Sequence, residues 1–345
     1  MIKSIFKTSE NVSETATLAE PNATEIETSQ TPAAVTSEQQ APPVEITNRE
    51  KVQAVEEEMA DESLSEGEKI KPPTPRKFGP ISPSEIMAIV NQKGGCGKTT
   101  TAINLGASLA KKGQRVLLID LDPQAHATLG LGIKVAEGVK TIYEVLMEQN
   151  TPAAEAIHPT KMEKFHIIPG NPRLSSAQID LLSWTGREQV LKSKLLPCLS
   201  AYQCIIIDCP PSLSMLTINA LVAAHKIIVP IQTHYFALDG MKQLFMTVDQ
   251  VKSHFNASLN VLGMLTTMVD PRTNICKDMI AAIRDYFKGD VFSSGIKMNV
   301  KLIECSLYGE PVISYAPDSV GALSYLELAD EVLERLHAPV FQSAN

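Results

Sequence analysis

The run Gln92-Lys-Gly-Gly-Cys-Gly-Lys-Thr-Thr100 constrains this chain more than any other stretch. It follows an apolar segment, Ile86-Met-Ala-Ile-Val-Asn91, and leads into a helical pattern over Thr99–Lys112. A strand, a glycine-rich turn and a helix in that order make a phosphate-binding loop. Glycines let backbone N–H groups turn toward one point and approach phosphate oxygens closely. The helix N-terminus adds unpaired donors and a favourable dipole. On this reading Lys93, Gly94, Gly95, Cys96, Gly97, Lys98, Thr99 and Thr100 bind a nucleotide. Lys98 reaches the β- and γ-phosphates, and the Thr99 hydroxyl ligates Mg²⁺.

The loop departs from the ordinary GxxxxGK[ST] pattern, which requires glycine where this chain has Gln92. Lys93 stands next to it, ahead of two glycines. A second lysine at that point is costly unless it meets negative charge, so its presence implies a further phosphate contact.

Two more strand ends carry carboxylates. Leu117-Leu-Ile-Asp-Leu-Asp-Pro-Gln124 closes on Asp120 and Asp122, and Cys204-Ile-Ile-Ile-Asp-Cys-Pro-Pro211 closes on Asp208. Ligands bind outside the carboxyl ends of strands in open α/β sheets. Asp122 is therefore the candidate for positioning an attacking water, with Asp120 supporting it or joining the Mg²⁺ shell, and Asp208 is the candidate for holding Mg²⁺ through water.

The rest of the chain fits this frame. Residues 81–340 alternate short apolar runs with helical patterns, which predicts one α/β domain: a doubly wound, mostly parallel sheet flanked by helices. The expected strands are Ile86–Asn91, Arg115–Asp120, Phe165–Pro169, Cys204–Asp208, Lys226–Ile231, Val261–Val269 and a short Val291–Phe292. The expected helices include Leu174–Leu182, Glu188–Leu199, Leu238–Lys252 and Asn274–Phe287. Residues 1–80 differ in texture, with eight prolines and only Phe6 and Phe78 as aromatics, and they read as a disordered tail and linker. That tail carries eight Lys and Arg against fifteen Asp and Glu, so it accounts for −7 of the chain's net −8. The remainder is nearly neutral and is free to carry local basic patches. No apolar run is long enough for a membrane span, and no secretory leader precedes the loop. The six cysteines form no CxxC pair and read as reduced thiols.

With these motifs in place, Lys93–Thr100 resembles the lysine-bearing "deviant Walker A" class, which includes ParA, MinD, the arsenite pump ATPase and nitrogenase iron protein. Asp120-Leu-Asp-Pro-Gln124, Asp208-Cys-Pro-Pro-Ser-Leu213, Thr217-Ile-Asn-Ala-Leu221, Tyr235-Phe-Ala-Leu-Asp-Gly240 and Tyr325-Leu-Glu-Leu-Ala-Asp-Glu331 together resemble the chromosomal ParA family, often called Soj. The resemblance spans about 86–337. It implies a slow, partner-stimulated ATPase that requires ATP and Mg²⁺ and forms a homodimer on binding ATP. It also implies that Lys93, Lys98 and Asp122 are catalytic, with Lys93 reaching the partner protomer's phosphates, and that Thr99, Asp120 and Asp208 surround the metal. Further implications are non-specific DNA binding, a ParB-like or cargo adaptor protein, and a cytoplasmic, nucleoid-associated location for partitioning a chromosome, plasmid or other cargo. The family's DNA contacts fall on Arg272 and Lys301, while a nearby arginine position falls on Met298, with Lys297 beside it as a replacement. Weaker DNA binding than in typical members follows. His234 stands where glutamate is common, and Cys305-Ser-Leu-Tyr-Gly309 replaces the usual Ala-Pro-Ser-His-Gly.

Three other functions compete. A membrane-cycling ATPase of the MinD kind needs a basic amphipathic C-terminus, whereas Glu331–Asn345 is acidic and broken by Pro339, so no stable membrane insertion is expected. A metallocluster carrier needs cysteines at ligand spacing, which Cys96 and Cys209 lack. A small-molecule synthetase on the same loop needs a substrate pocket that no motif identifies.

Overall fold

In a computed structural model the described residues are 79–82, 84–233 and 240–337. Residues 1–78 of the expected tail, His234 and most of the Tyr235–Gly240 motif lie outside them. The described elements run β1 (Glu85–Ile89), α1 (Lys98–Lys111), β2 (Val116–Asp120), α2 (His126–Gly130), α3 (Ile142–Met147), β3 (His158–Pro159), β4 (Phe165–Ile168), α4 (Leu174–Asp180) and α5 (Val190–Leu195). They continue with β5 (Cys204–Asp208), α6 (Met215–Ala223), β6 (Lys226–Gln232), α7 (Met241–His254), β7 (Asn260–Thr267), α8 (Asn274–Phe287), α9 (Lys301–Leu307), α10 (Val312–Tyr315) and α11 (Val320–His337).

One seven-stranded sheet has the order β3-β4-β2-β5-β1-β6-β7. Every pairing is parallel except β3 with β4. The central strands are apolar throughout because helices cover both faces, yet their residues divide strictly by parity. Ile86, Ala88, Leu117, Ile119, Ile205 and Ile207 pack into one layer with α3, α5, α6 and α7. Met87, Ile89, Val116, Leu118, Cys204 and Ile206 pack into the other with α1 and α11. The same alternation sends Asp120 and Asp208, two residues beyond Leu118 and Ile206, toward the face that α1 covers.

Several boundaries differ from the sequence reading. The expected strand Val291–Phe292 contributes only an isolated bridge to Met264; the chain follows the edge of β7 through spaced bonds, from Phe292 N–H to the Met264 carbonyl and from Ile296 N–H to the Thr266 carbonyl, without a continuous ladder. The helix expected over Glu188–Leu199 is divided into Arg187–Gln189, α5 and Leu196–Cys198, the outer two pieces being tighter 3₁₀ turns. Pro197 lies inside the last of these. The sequence reading did not anticipate α2, α9, α10 or β3. Each has seven residues or fewer, too short for a periodic apolar pattern to register.

Candidate functional site

The loop after β1 is fixed to its surroundings at several points. Asn91, buried at the strand exit, accepts from the Lys93 N–H at 3.0 Å and donates through Nδ2 to the Pro230 carbonyl of β6 at 2.6 Å. The Lys93 carbonyl in turn accepts from Lys98 Nζ at 3.1 Å and Cys96 Sγ at 3.2 Å. Thr267, at the end of β7, donates its hydroxyl to the Cys96 carbonyl at 2.9 Å. Gly97 caps α1 with φ at 88°, in the left-handed region where a Cβ is unfavourable. Gly94 and Gly95 form the exposed crest, Cys96 and Lys98 are buried, and Lys93 and Thr99 are half-buried. The backbone of Lys93 is thus held on both sides, while the residue itself sits at the loop's open rim.

Beside this loop lie the carboxylates. Asp120 and Asp208 are register partners on β2 and β5, and both are fully buried. Asp120 Oδ2 accepts from the N–H of Thr128 at 2.8 Å and from its hydroxyl at 2.6 Å, and Oδ1 accepts from the Asp122 N–H at 3.3 Å. Burial pushes the Asp120 carboxyl up to about 6 against the lowering pull of those Thr128 bonds. Among the described residues neither Asp208 oxygen takes a hydrogen bond of normal geometry. Burial, reinforced by the charge of Asp120, drives its carboxyl well above the usual range, although the Thr99 hydroxyl and the Lys98 ammonium pull it partly back. A buried carboxylate with two orphaned oxygens is expensive unless a cation completes it. Asp208 with the nearby Thr99 hydroxyl offers hard oxygen ligands, and Mg²⁺ takes one or two of these together with substrate phosphates and water. The donor set therefore fits Mg²⁺.

Asp122 lies beyond β2, in a turn closed by a 2.8 Å bond from the Ala125 N–H to the Asp122 carbonyl. Its Oδ1 accepts from the Gln124 N–H at 2.9 Å. The sequence reading missed Asn91, Thr128 and Thr267. The detectable signal was a polar residue ending an apolar strand, which Asn91 and Thr267 share with Asp120 and Asp208. Thr128 carried no such signal.

The basic residues form a looser set. Lys297 bridges to Val269, two residues before Pro271-Arg272. Arg272 is gripped by Asp270 through two side-chain bonds of 2.9 and 2.8 Å, and this holds the Asp270 carboxyl down at about 2. Lys301 pairs with Glu304 at 2.7 Å. Met298 is 63% exposed in their midst. All six cysteines are buried free thiols, and among the described residues no three His, Cys, Asp or Glu side chains form a metal-binding group. No described helix is long and apolar enough to cross a membrane.

The parallel sheet, the loop at the carboxyl end of β1 and the carboxylates on the two neighbouring strand ends define a P-loop nucleoside triphosphatase. The family described as AAA domain matches residues 84–261. The sporulation initiation inhibitor protein Soj of Bacillus subtilis is 46% identical over 248 residues, 72% of this chain and 98% of Soj. The chromosome partitioning protein ParA of Myxococcus xanthus is 46% identical over 250 residues, 72% of this chain and 88% of that protein. The chain belongs to the ParA/Soj family of P-loop ATPases. Its fold also resembles a structure of cobyrinic acid a,c-diamide synthase from Mycobacterium smegmatis with bound ATP analogue and magnesium, at 36% identity and a TM-score of 0.63, covering 72% of this chain and 93% of that one.

Proposed function

We propose that the chain is an ATP-driven dimer switch that binds DNA without sequence preference and partitions a chromosome, plasmid or other cargo. The observation that carries this reading is Lys93: its backbone is pinned by Asn91, Cys96 and Lys98, and the residue stands at the exposed rim of the loop. A lysine held there is suited to a triphosphate bound by a second copy, where it stabilises charge developing on the phosphoryl group. Partition relatives 46% identical over most of the chain support this reading over a small-molecule synthetase, the activity named for the 36% identical structure.

In the proposed reaction a water attacks the γ-phosphorus, the bond to the β–γ bridging oxygen breaks, and ADP and phosphate leave. Asp122 orients the water, Lys98 holds the β- and γ-phosphates, and Lys93 completes the site from the partner protomer. Thr99 and Asp208 would hold Mg²⁺, which would supply neutralisation of the phosphate charge when bound. DNA phosphates are met by Arg272, Lys297 and Lys301, and an adaptor of the ParB kind accelerates turnover.

Arg272 and Lys301 already have carboxylate partners, and Met298 contributes no charge. Phosphate must compete with Asp270 and Glu304, so DNA binding is expected to be weak and steeply salt-dependent. The test is light scattering with a non-hydrolysable ATP analogue, with ATPase rates and DNA gel shifts across salt measured in parallel. A dimer lost in Lys93→Ala and a gel shift strengthened in Met298→Arg support the reading. A monomer under saturating analogue in the unmodified chain overturns it.

A further inference from the structure

We propose that Thr128, Asp120 and Gly170 form a clamp that positions Asp122 for the attack on the γ-phosphate, and that Asp120 serves this clamp rather than the metal. The inference rests on the proposed role of Asp122.

The Thr128 hydroxyl makes two bonds. It accepts from the Gly170 N–H at 2.8 Å, so its single proton is committed to Asp120 Oδ2 at 2.6 Å. The chain of bonds has one direction: Gly170 N–H to Thr128 O–H to Asp120. The N–H of Thr128 reaches the same oxygen at 2.8 Å, and the N–H of Asp122 reaches the other at 3.3 Å. Asp120 therefore grips both ends of the Asp122–Thr128 segment. Between them Ala125 has φ at 51°, a left-handed conformation that a non-glycine residue keeps only when its surroundings impose it. Gly170 closes the clamp from the loop just beyond β4, because a Cβ built on it would stand 2.8 Å from Asp120 Cγ.

Three of roughly four acceptor positions on Asp120 are filled from within the protein. Asp208, its register partner, has none filled by a normal hydrogen bond among the described residues. The two carboxylates thus divide the work, one facing the metal and the other fixing the turn that carries Asp122.

The experiment compares Thr128→Val, which keeps the shape and removes the hydroxyl, with Thr128→Ser, Gly170→Ala and Asp122→Asn. It reads kcat and KM for ATP, together with affinity for a fluorescent ADP analogue across Mg²⁺ concentrations. Displacing a catalytic group by about 1 Å costs on the order of a hundredfold in rate. Thr128→Val is expected to lower kcat roughly ten- to a hundredfold on the same basis, leaving KM and the Mg²⁺ midpoint of ADP binding unchanged. Thr128→Ser restores most of the rate. Gly170→Ala, which pushes on Asp120 from the other side, reproduces the loss and provides the readout should Thr128→Val fold poorly. Wild-type kcat in Thr128→Val, or a shifted Mg²⁺ midpoint with kcat intact, overturns the clamp. Wild-type turnover in Asp122→Asn instead overturns the assignment of Asp122 itself.

Discussion

Asp120 and Asp208 stand opposite each other in the β2–β5 register, equally buried, yet Thr128 supplies one with hydrogen bonds and leaves the other bare. Sequence spacing makes the two alike. Neighbours contributed from α2 and the end of β4 make them different, and different consequences follow for substitutions at each.

Removing the charge at Asp208 sets stability against activity. Asp208→Asn relieves a buried carboxylate that takes no hydrogen bond of normal geometry among the described residues, so the nucleotide-free protein is expected to melt at a higher temperature. Mg²⁺-dependent ATP turnover is expected to fall on the order of a hundredfold, the upper end of the loss that follows when a group supporting a bound metal is removed. Calorimetry without nucleotide and a phosphate-release assay test the two halves.

Asp120 contributes to the pH dependence of stability, in the same direction as Asp208, whose carboxyl burial also raises. The Asp120 carboxyl titrates near 6 in the folded protein, above the ordinary 3.8. The folded state therefore holds a proton that the unfolded chain has lost, and the associated stability is present below about 4 and disappears as pH rises through about 6. The melting temperature of the nucleotide-free protein is expected to decline across that window. Asp120→Asn should make the decline shallower, leaving the part due to Asp208, as measured by circular dichroism melts at a series of pH values.

Asn91 links the phosphate loop to β6 through two bonds from one amide. Asn91→Ala leaves the Lys93 N–H and the Pro230 carbonyl without partners, and each stranded group costs about 1–3 kcal/mol. The expected result is a lower melting temperature together with a raised KM for ATP, because the loop loses its anchor at the rim that carries Lys93.

Thr267 is a cleaner test of loop anchoring. Thr267→Val keeps the shape of the side chain and removes only the bond to the Cys96 carbonyl. A net bond of about 1 kcal/mol corresponds to roughly a fivefold loss of nucleotide affinity if the loop must re-form on binding. Titration with a fluorescent ADP analogue reads this directly, and a change confined to kcat would contradict it.

Much of this molecule is legible in the residues themselves. The apolar strands Cys204–Asp208 and Val116–Asp120, the glycine-rich turn from Lys93 to Thr99 and the helix Asn274–Phe287 each carry a local signal strong enough to locate them. The short helices α2, α9 and α10 do not, because one or two turns hold too few residues to form an apolar stripe. Hydropathy also cannot distinguish Lys301, tied to Glu304, from a lysine available to DNA, since the pair forms only where α9 brings residues three apart onto one helix face.

The sequence by itself determined that the chain folds into a parallel α/β sheet with a phosphate loop, because the alternation of strands and helices and the left-handed glycines are local requirements. Only the tertiary structure decided which aspartate is left without hydrogen bonds, which is clamped, and what holds the loop. Those outcomes depend on Thr128, Gly170, Pro230 and Thr267, which come from a helix, a loop and two strands and meet Asp120, Asn91 and Cys96 only once the sheet has assembled.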